Sequence, residues 1–419
     1  MRRVGKIASL PANYTRAMRI DFRSRALLAS GIFLFSQNWL AAQTPKPAFG
    51  EPAPQLAWNL QDSGTTASLR GIVSVDGKIA WASGSGGVVI KTTDGGAHWT
   101  PCAVPPDAEK LDFRGIQAAD ADHAIVMSSG PGDLSQLYKT DDGCKSWKLL
   151  FKNPDSPEGF FDSFFADWTA GERNAEGNPA KTPAWTGSLL GDPVKGRFVV
   201  FDTPDSGVTW VARKSPDLAL NGLDLGGFAA SNSLFPANQD GVHTPHIFAS
   251  GGKGGAVVWI ETDAETSVGM ASPSTMTRSH WSRVALPLAG GNEASGIFSI
   301  ARQTESVPYR NTVSTRETLM AVGGDYQKPN DPTGTAAWST DNGLHWTAAA
   351  KPPHGYRSAV AWSAEFNAWI AAGPNGSDIS SEDGKSWTAL DDGNWNALSL
   401  PFVVGPKGRI GRLSAPRNR

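Results

Sequence analysis

The stretch KTTDGGAHWT, residues 91–100, gathers two threonines, a carboxylate, two glycines, an imidazole and an indole. Asp94 and His98 at this spacing are a candidate acid–base pair, because each can hold or release a proton. The stretch recurs, however, as KTDDGCKSWK (139–148), DTPDSGVTWV (202–211), WSTDNGLHWT (338–347) and DISSEDGKSWT (378–388). Aligned on Trp99, Trp147, Trp210, Trp346 and Trp387, the acids are Asp94, Asp142, Asp205, Asp341 and Glu382. A hydroxyl precedes each acid (Thr92, Thr140, Thr203, Ser339, Ser380), and Gly96, Gly207, Gly343 and Gly384 follow in four copies, with Cys144 in the other. Turn chemistry accounts for every position. The carboxylate and hydroxyl accept backbone N–H bonds, glycine supplies a positive φ, and tryptophan opens the next strand with its ring between sheets. The position of His98 is Ser146, Thr209, His345 and Ser386 elsewhere, and no partner is predicted for it. Five like sites read as structure, not as five active centres.

A second set of polar residues is a better candidate for binding. Arg70 lies in LRGI, Arg114 in FRGI, Asp162 in FDSF, Ser295 in ASGIFSI, Arg357 in YRSAVAW and Asn396 in WNALSL, with a glycine near Gly226 in LGGFAA. Asp192 (GDPVKGR), Asp325 and Tyr326 (GGDYQKP), and Ser377 and Asp378 (GSD) sit in loops, with Lys195 and Arg197 further out. Planar guanidiniums bind oxyanions bidentately, so such a cluster suits a carboxylate, a phosphate or a sugar. The competing reading pairs the arginines with the aspartates and leaves them lining a channel.

Both sets depend on the strands that would position them. SLRGIVSV, KIAWASGSGG and VVIKTT are three apolar runs separated by turns, and Trp99 opens a fourth; DFRGIQAA, HAIVMSSG and SQLYKT repeat the pattern. Four antiparallel strands per unit make a propeller blade. Innermost strands starting at LRGI (69–72), FRGI (113–116), FDSF (161–164), LGGFAA (225–230), ASGIFSI (294–300), YRSAVAW (356–362) and WNALSL (395–400) predict an all-β, seven-bladed propeller of four-stranded blades. The fourth blade keeps Trp281 without the acid. The seventh is one strand short, and LAWNL around Trp58 supplies it from the N-terminal side, closing the ring and removing a free sheet edge. In this topology the repeated turns join third to fourth strands on one face. First-strand starts and second-to-third-strand loops gather on the other, where Arg70, Arg114, Asp162, Asp192, Ser295, Asp325, Tyr326, Arg357 and Asn396 would converge.

The 419 residues carry a formal net charge of −2, which leaves no electrostatic footprint for nucleic acid. With 46 glycines, 29 prolines and 16 tryptophans, composition favours short strands and turns over helices. Arg19, Arg23 and Arg25 precede ALLASGIFLF, and Ala41 and Ala42 follow, which predicts a signal peptide over residues 1–42 and an exported, periplasmic or extracellular protein. Met18 is an alternative start to Met1. A short linker (43–54), the propeller (55–413) and a tail (414–419) complete the predicted organisation, with no stable membrane insertion once the leader is removed. Cys102 and Cys144 could form a disulfide or remain thiols. No cofactor is expected. No G-x-G-x-x-G opens a helix, GGKGG (251–255) leads into a strand, and no G-x-S-x-G elbow is present. No metal is expected, since the histidines of HTPH (243–246) would point to opposite faces of a strand.

The repeated [ST]-x-D-x-G-x-x-W turn resembles that of Asp-box (BNR repeat) proteins, and the text LRGI…WASGSGGVVIKTTDGGAHW is similar to photosystem II stability/assembly factor-like propellers. Segments GDPVKGRF, FAASNS, SGIFSIA, AVGGDY and GYRSAVAW are similar to an exported bacterial branch of that group without a settled activity. The resemblance covers about residues 55–413 and implies the fold more strongly than a function. Asp boxes also occur in sialidases, where an arginine triad holds the substrate carboxylate beside a Tyr–Glu pair and an acidic Asp. Here the F-R-I-P run is absent, Tyr326 and Tyr356 lack an obvious glutamate, and Asp162 would be acid only by assumption. The expectation is therefore a monomeric scaffold binding a protein partner, an acidic glycan or a small anion on the face opposite the repeated turns. A sialidase-like glycoside hydrolase on that face is the alternative.

Overall fold

The apolar runs form strands, and the strands form seven antiparallel sheets arranged as the blades of a propeller. The computed structural model describes residues 56–169, 182–236, 247–262, 280–309 and 312–415. The predicted leader and linker, HTPH at 243–246 and the last four residues of the tail lie outside the described residues.

Blade one is built from Leu69–Ser74, Ala80–Gly84, Val89–Thr92 and Thr100–Pro101, and blade two from Phe113–Ala118, Ala124–Ser128, Gln136–Thr140 and Lys148–Lys152. Blades three, five and six repeat this order, starting at Phe161, Ser295 and Ala359. Second strands such as Ala80–Gly84, Ala124–Ser128 and Ala368–Gly373 are buried along their whole length. Neighbouring blades cover both of their faces, which is why their sequences read as continuous apolar runs instead of alternating ones. The cores lie between blades. Trp81, Phe113, Val126 and Trp147 pack blade one on blade two, and Leu69, Trp99, Phe402 and Ile410 pack blade seven on blade one.

Ala57–Gln61 pairs with Ile410–Ser414 as the outermost strand of blade seven, in the register Ala57 to Ser414 through Gln61 to Ile410. Trp58 fixes this closure sideways, donating from Nε1 to Ser377 Oγ of blade six at 2.8 Å while its ring lies 6.1 Å from that of Trp395. The predicted closure around Trp58 is the observed one.

Blade four departs from expectation. Among the described residues its regular strands are Ile247–Ser250, Val257–Thr262 and His280–Ala285, and LGGFAA is not a strand. Only Gly226 makes a ladder-like bridge, to Gly251. Beyond it the chain distributes its hydrogen bonds over several blades. Arg114 of blade two donates to the Ala229 carbonyl at 3.3 Å, and Phe164 N–H of blade three donates to Asn232 Oδ1 at 2.7 Å. Ile300 N–H of blade five donates to the Ser233 carbonyl at 2.8 Å, and Ser231 Oγ donates to the Ser358 carbonyl of blade six at 2.7 Å. Small and polar residues without alternation, with Asn232 at φ 58°, suit a segment that fills the channel better than one that joins a sheet.

Candidate ligand face

A recurring irregularity positions the polar residues of the predicted mouth. In blade one Leu69 pairs with Gly84 and Gly71 with Ser83, so Arg70 is the extra residue of a β-bulge. Arg114 and Asp162 hold the same place in blades two and three. A bulge bends the strand and re-aims a side chain that would otherwise enter the sheet stack. Glycine follows each arginine because the neighbour is close. A Cβ on Gly71 would lie 2.6 Å from Ser83 Oγ, and one on Gly115 would lie 2.8 Å from Asn232 Oδ1.

In blade five the bulge residue is Phe298, not Ser295. Ser295 is buried and donates to the Asn292 carbonyl in a local turn, so its predicted place in the column was three residues early. Asn396 is also taken up structurally, its Nδ2 donating to the Leu69 carbonyl at 2.8 Å across the joint between blades seven and one.

Arg70 and Arg114 share one acid that sequence reasoning passed over. Arg114 Nε donates to Asp112 Oδ2 at 2.8 Å, and Arg70 Nη2 lies 4.0 Å from the same oxygen. Arg70 Nε is buried without a hydrogen-bond partner, as is Asp112 Oδ1. Burial and then the Arg114 charge hold the Arg70 guanidinium below its ordinary pKa, against the pull of Asp112. Both arginine side chains remain 28% exposed, so two guanidiniums and one carboxylate leave an accessible positive excess. Asp112 immediately precedes FRGI, where blade one has Ser68, and this unmatched acid was the available signal.

Arg357 behaves differently. It is fully buried, donates through Nε to Asp378 Oδ2 at 2.7 Å, and bonds the Tyr356 carbonyl and Asn375 Oδ1 through Nη1. Its Nη2 also bonds Asp378, and His354 Nδ1 lies 2.8 Å from the other oxygen of that carboxylate. For Arg357 the pairing reading holds, and the guanidinium is sealed from any ligand. Ser377 binds Asp391 at 2.5 Å, Lys195 lies at an exposed turn with φ 51°, and Arg197 donates to the Ser215 carbonyl.

Asp162, fully buried, and Asp192, half-buried, form an acidic pair under Gly226 and Gly227. Asp192 Oδ1 accepts from Gly227 N–H at 2.9 Å, and Asp162 Oδ2 is buried with no partner. Burial, reinforced by the Asp192 charge and opposed by Arg114, raises the Asp162 pKa well above the usual carboxylate value. Burial raises that of Asp192 too, against the Gly227 hydrogen bond. Asp325 is spent on its own loop, accepting from Gln327 N–H and Asn292 Nδ2.

Aromatic rings complete the mouth. Phe298 stacks on Phe228 at 3.9 Å between centroids and meets Tyr356 and Tyr326 edge-on at 4.7 and 6.1 Å. Tyr356 is buried, whereas Tyr326 is 49% exposed.

The repeated turns lie away from this mouth. Thr92 Oγ donates to Asp94 Oδ1, Gly96 N–H donates to Thr92 Oγ, and His98 N–H donates to Asp94 Oδ1 at 3.0 Å. His98 does have a partner, contrary to expectation. Its Nδ1 lies 2.7 Å from Asp94 Oδ2, and Ser146, Thr209, His345 and Ser386 make the same bond to their acids. In the second copy Cys144 takes the glycine place at φ 65° and is disulfide-bonded to Cys102, joining blade two's turn to blade one. On this same side, turns of blades one, six and seven line a cavity of about 460 Å³ that includes Trp362, Phe366, Pro401 and Arg412, a feature the sequence did not signal. Among the described residues no group of three or more His, Cys, Asp or Glu side chains could hold a metal ion.

Solved structures with this arrangement of blades are known. The chain is similar in fold to YCF48. A structure of YCF48 bound to D1 peptide superposes with a TM-score of 0.51 at 17% identity, covering 87% of this chain and 98% of that one. YCF48 from Cyanidioschyzon merolae gives 0.47 at 19% identity over 86% and 100% of the two chains. A GH74 xyloglucanase from Xanthomonas campestris gives 0.35 at 14% identity over 77% of this chain and 50% of that one. No family model and no curated protein sequence matches the chain. At these identities the likeness to YCF48 establishes the seven-bladed fold. Among the described residues no helix is long and apolar enough to cross a membrane.

Proposed function

We propose that this propeller is a binding scaffold that holds an anionic peptide segment of a protein partner at the Arg70–Arg114 mouth. The observation that carries this reading is the incompletely neutralised guanidinium pair. Two arginines share Asp112, and Arg70 Nε has no hydrogen-bond partner. An incoming carboxylate would accept from the exposed guanidinium N–H groups, which are already held in place. That a propeller of similar fold has been solved with a peptide bound supports a peptide over a glycan. The acidic pair Asp162 and Asp192 does not favour glycoside hydrolysis. A glycosidase must present both carboxyl groups to the sugar, and Asp162 is 1% exposed beneath Gly227. The arginine-flanked apolar run before Ala41 and the Cys102–Cys144 disulfide support export to an oxidising compartment.

Titration of a fluorescein-labelled acidic peptide against the full chain tests this reading. Arg70→Ala should weaken binding roughly tenfold or more, as expected when one partner of a desolvated charge contact is removed. Equal affinity of the variant and the parent would reject it.

A further inference from the structure

Resting on that reading, we infer that the mouth has a second subsite, an aromatic shelf headed by Tyr326, and that the segment bound there carries an aromatic side chain next to its carboxylate. The shelf is continuous with the charged subsite. Arg114 Nη1 donates to the Ala229 carbonyl at 3.3 Å, the neighbouring Phe228 stacks on Phe298 at 3.9 Å, and Phe298 meets Tyr356 and Tyr326 edge-on at 4.7 and 6.1 Å. Phe298 and Tyr356 are buried and back the shelf, and Tyr326 is the ring it presents to a ligand.

Tyr326 is the one aromatic among the exposed large hydrophobic residues of the described chain. It is not on a loose loop. Asp325 pins the turn by accepting from Gln327 N–H at 2.9 Å and from Asn292 Nδ2 at 3.2 Å, and Tyr326 N–H donates to the Ala294 carbonyl at 3.1 Å. A ring held in this way loses little freedom on binding and offers one exposed face or edge to a partner ring. Positive charge on one side and apolar area on the other select an occupant with the complementary pair, an anion and a ring within one or two residues. Free carboxylate termini and glutamate or aspartate side chains share that chemistry.

Four capped probes, uncharged apart from the groups stated, separate these elements by calorimetry. One ends in Phe with a free carboxylate, one is its C-terminal amide, one ends in Ala with a free carboxylate, and one is amidated with an internal Glu-Phe pair. The Phe acid should bind roughly tenfold tighter than the Ala acid and the Phe amide. The Glu-Phe probe should match the Phe acid if a side-chain carboxylate serves and fall to the level of the amide if a chain terminus is required; either result supports the shelf. Tyr326→Ala should bring the Phe-to-Ala ratio close to one while Tyr326→Phe preserves it. A ratio unchanged by Tyr326→Ala, with dependence on carboxylate and Arg70 intact, would overturn the shelf and leave the anion site standing. Binding that ignores both the carboxylate and Arg70 would overturn the two together.

Discussion

At the scale of single residues, three arginines that look equivalent in sequence divide into two kinds. Arg70 and Arg114 are half-exposed on bulges, while Arg357 is sealed in with Asp378. Removing one member of a buried ion pair strands the other, at a cost of about 3–5 kcal/mol. Arg357→Ala should lose that much in urea unfolding, whereas Arg70→Ala, which abandons no strong partner, should change stability by less than about 1 kcal/mol. Asp162 gives a pH-dependent prediction. Its folded pKa is raised, so between the ordinary carboxylate value and the raised one the native state keeps a proton that the unfolded chain releases. Stability should therefore fall as pH rises through that window. Asp162→Asn should melt higher than the parent at pH 8 and alongside it near pH 3. A constant difference across pH would show that the Asp162 carboxyl does not carry the effect. The acids of the repeated turns run the other way. Asp142 is held at about 2, first by the Ser146 hydroxyl and then by Ser146 N–H, so its contribution is lost only on strong acidification. The residue before each tryptophan is a hydrogen-bond donor in all copies, His98, Ser146, Thr209, His345 and Ser386, and that column already encoded the bond to the acid.

At the scale of elements, strands whose pattern follows from burial were legible and the segment with no repeating environment was not. Ala80–Gly84 reads as a strand because both faces are covered along its length. Residues 226–235 meet a different neighbour at almost every position, from Arg114 to Asn232's partner Phe164 to Ser358, so no period could mark them. The bulges were likewise invisible as bulges, although the R-G pairs at 70–71 and 114–115 record the close approach they create. Two joints between elements carry testable weight. The Cys102–Cys144 disulfide spans a sequence separation of 42, and a loop of that length contributes about 4 kcal/mol through the unfolded state. Reduction should lower the melting temperature without changing the far-ultraviolet circular dichroism of the folded protein at low temperature. Deleting residues 56–61 removes the closing strand and bares Ile410–Ser414 as a free edge. That truncation should aggregate or unfold, and recovery by adding the missing strand as a peptide would show that pairing, not chain length, is what was lost.

At the scale of the whole molecule, the propeller separates its tasks between two faces. Turns with saturated hydrogen bonds hold neighbouring blades together on one side, and unsaturated charge gathers on the other around the filled channel. The fold was legible because each blade repeats the same solution, and the closing strand at Trp58 could be found by counting. The mouth was legible only in part. Arg70 and Arg114 were placed by alignment, but Asp112, Phe298 and Phe228 depend on register and on a segment that belongs to no blade. The proposed function rests on the net positive character of that mouth, which should also show as salt-sensitive binding. The most direct test is calorimetric titration of one acidic, Phe-containing peptide into the full chain and into Arg70→Ala, with melting temperatures recorded alongside. The account predicts saturable binding by the parent and roughly tenfold or greater weakening in a variant that melts within a few degrees of it. Undiminished binding by Arg70→Ala would contradict it.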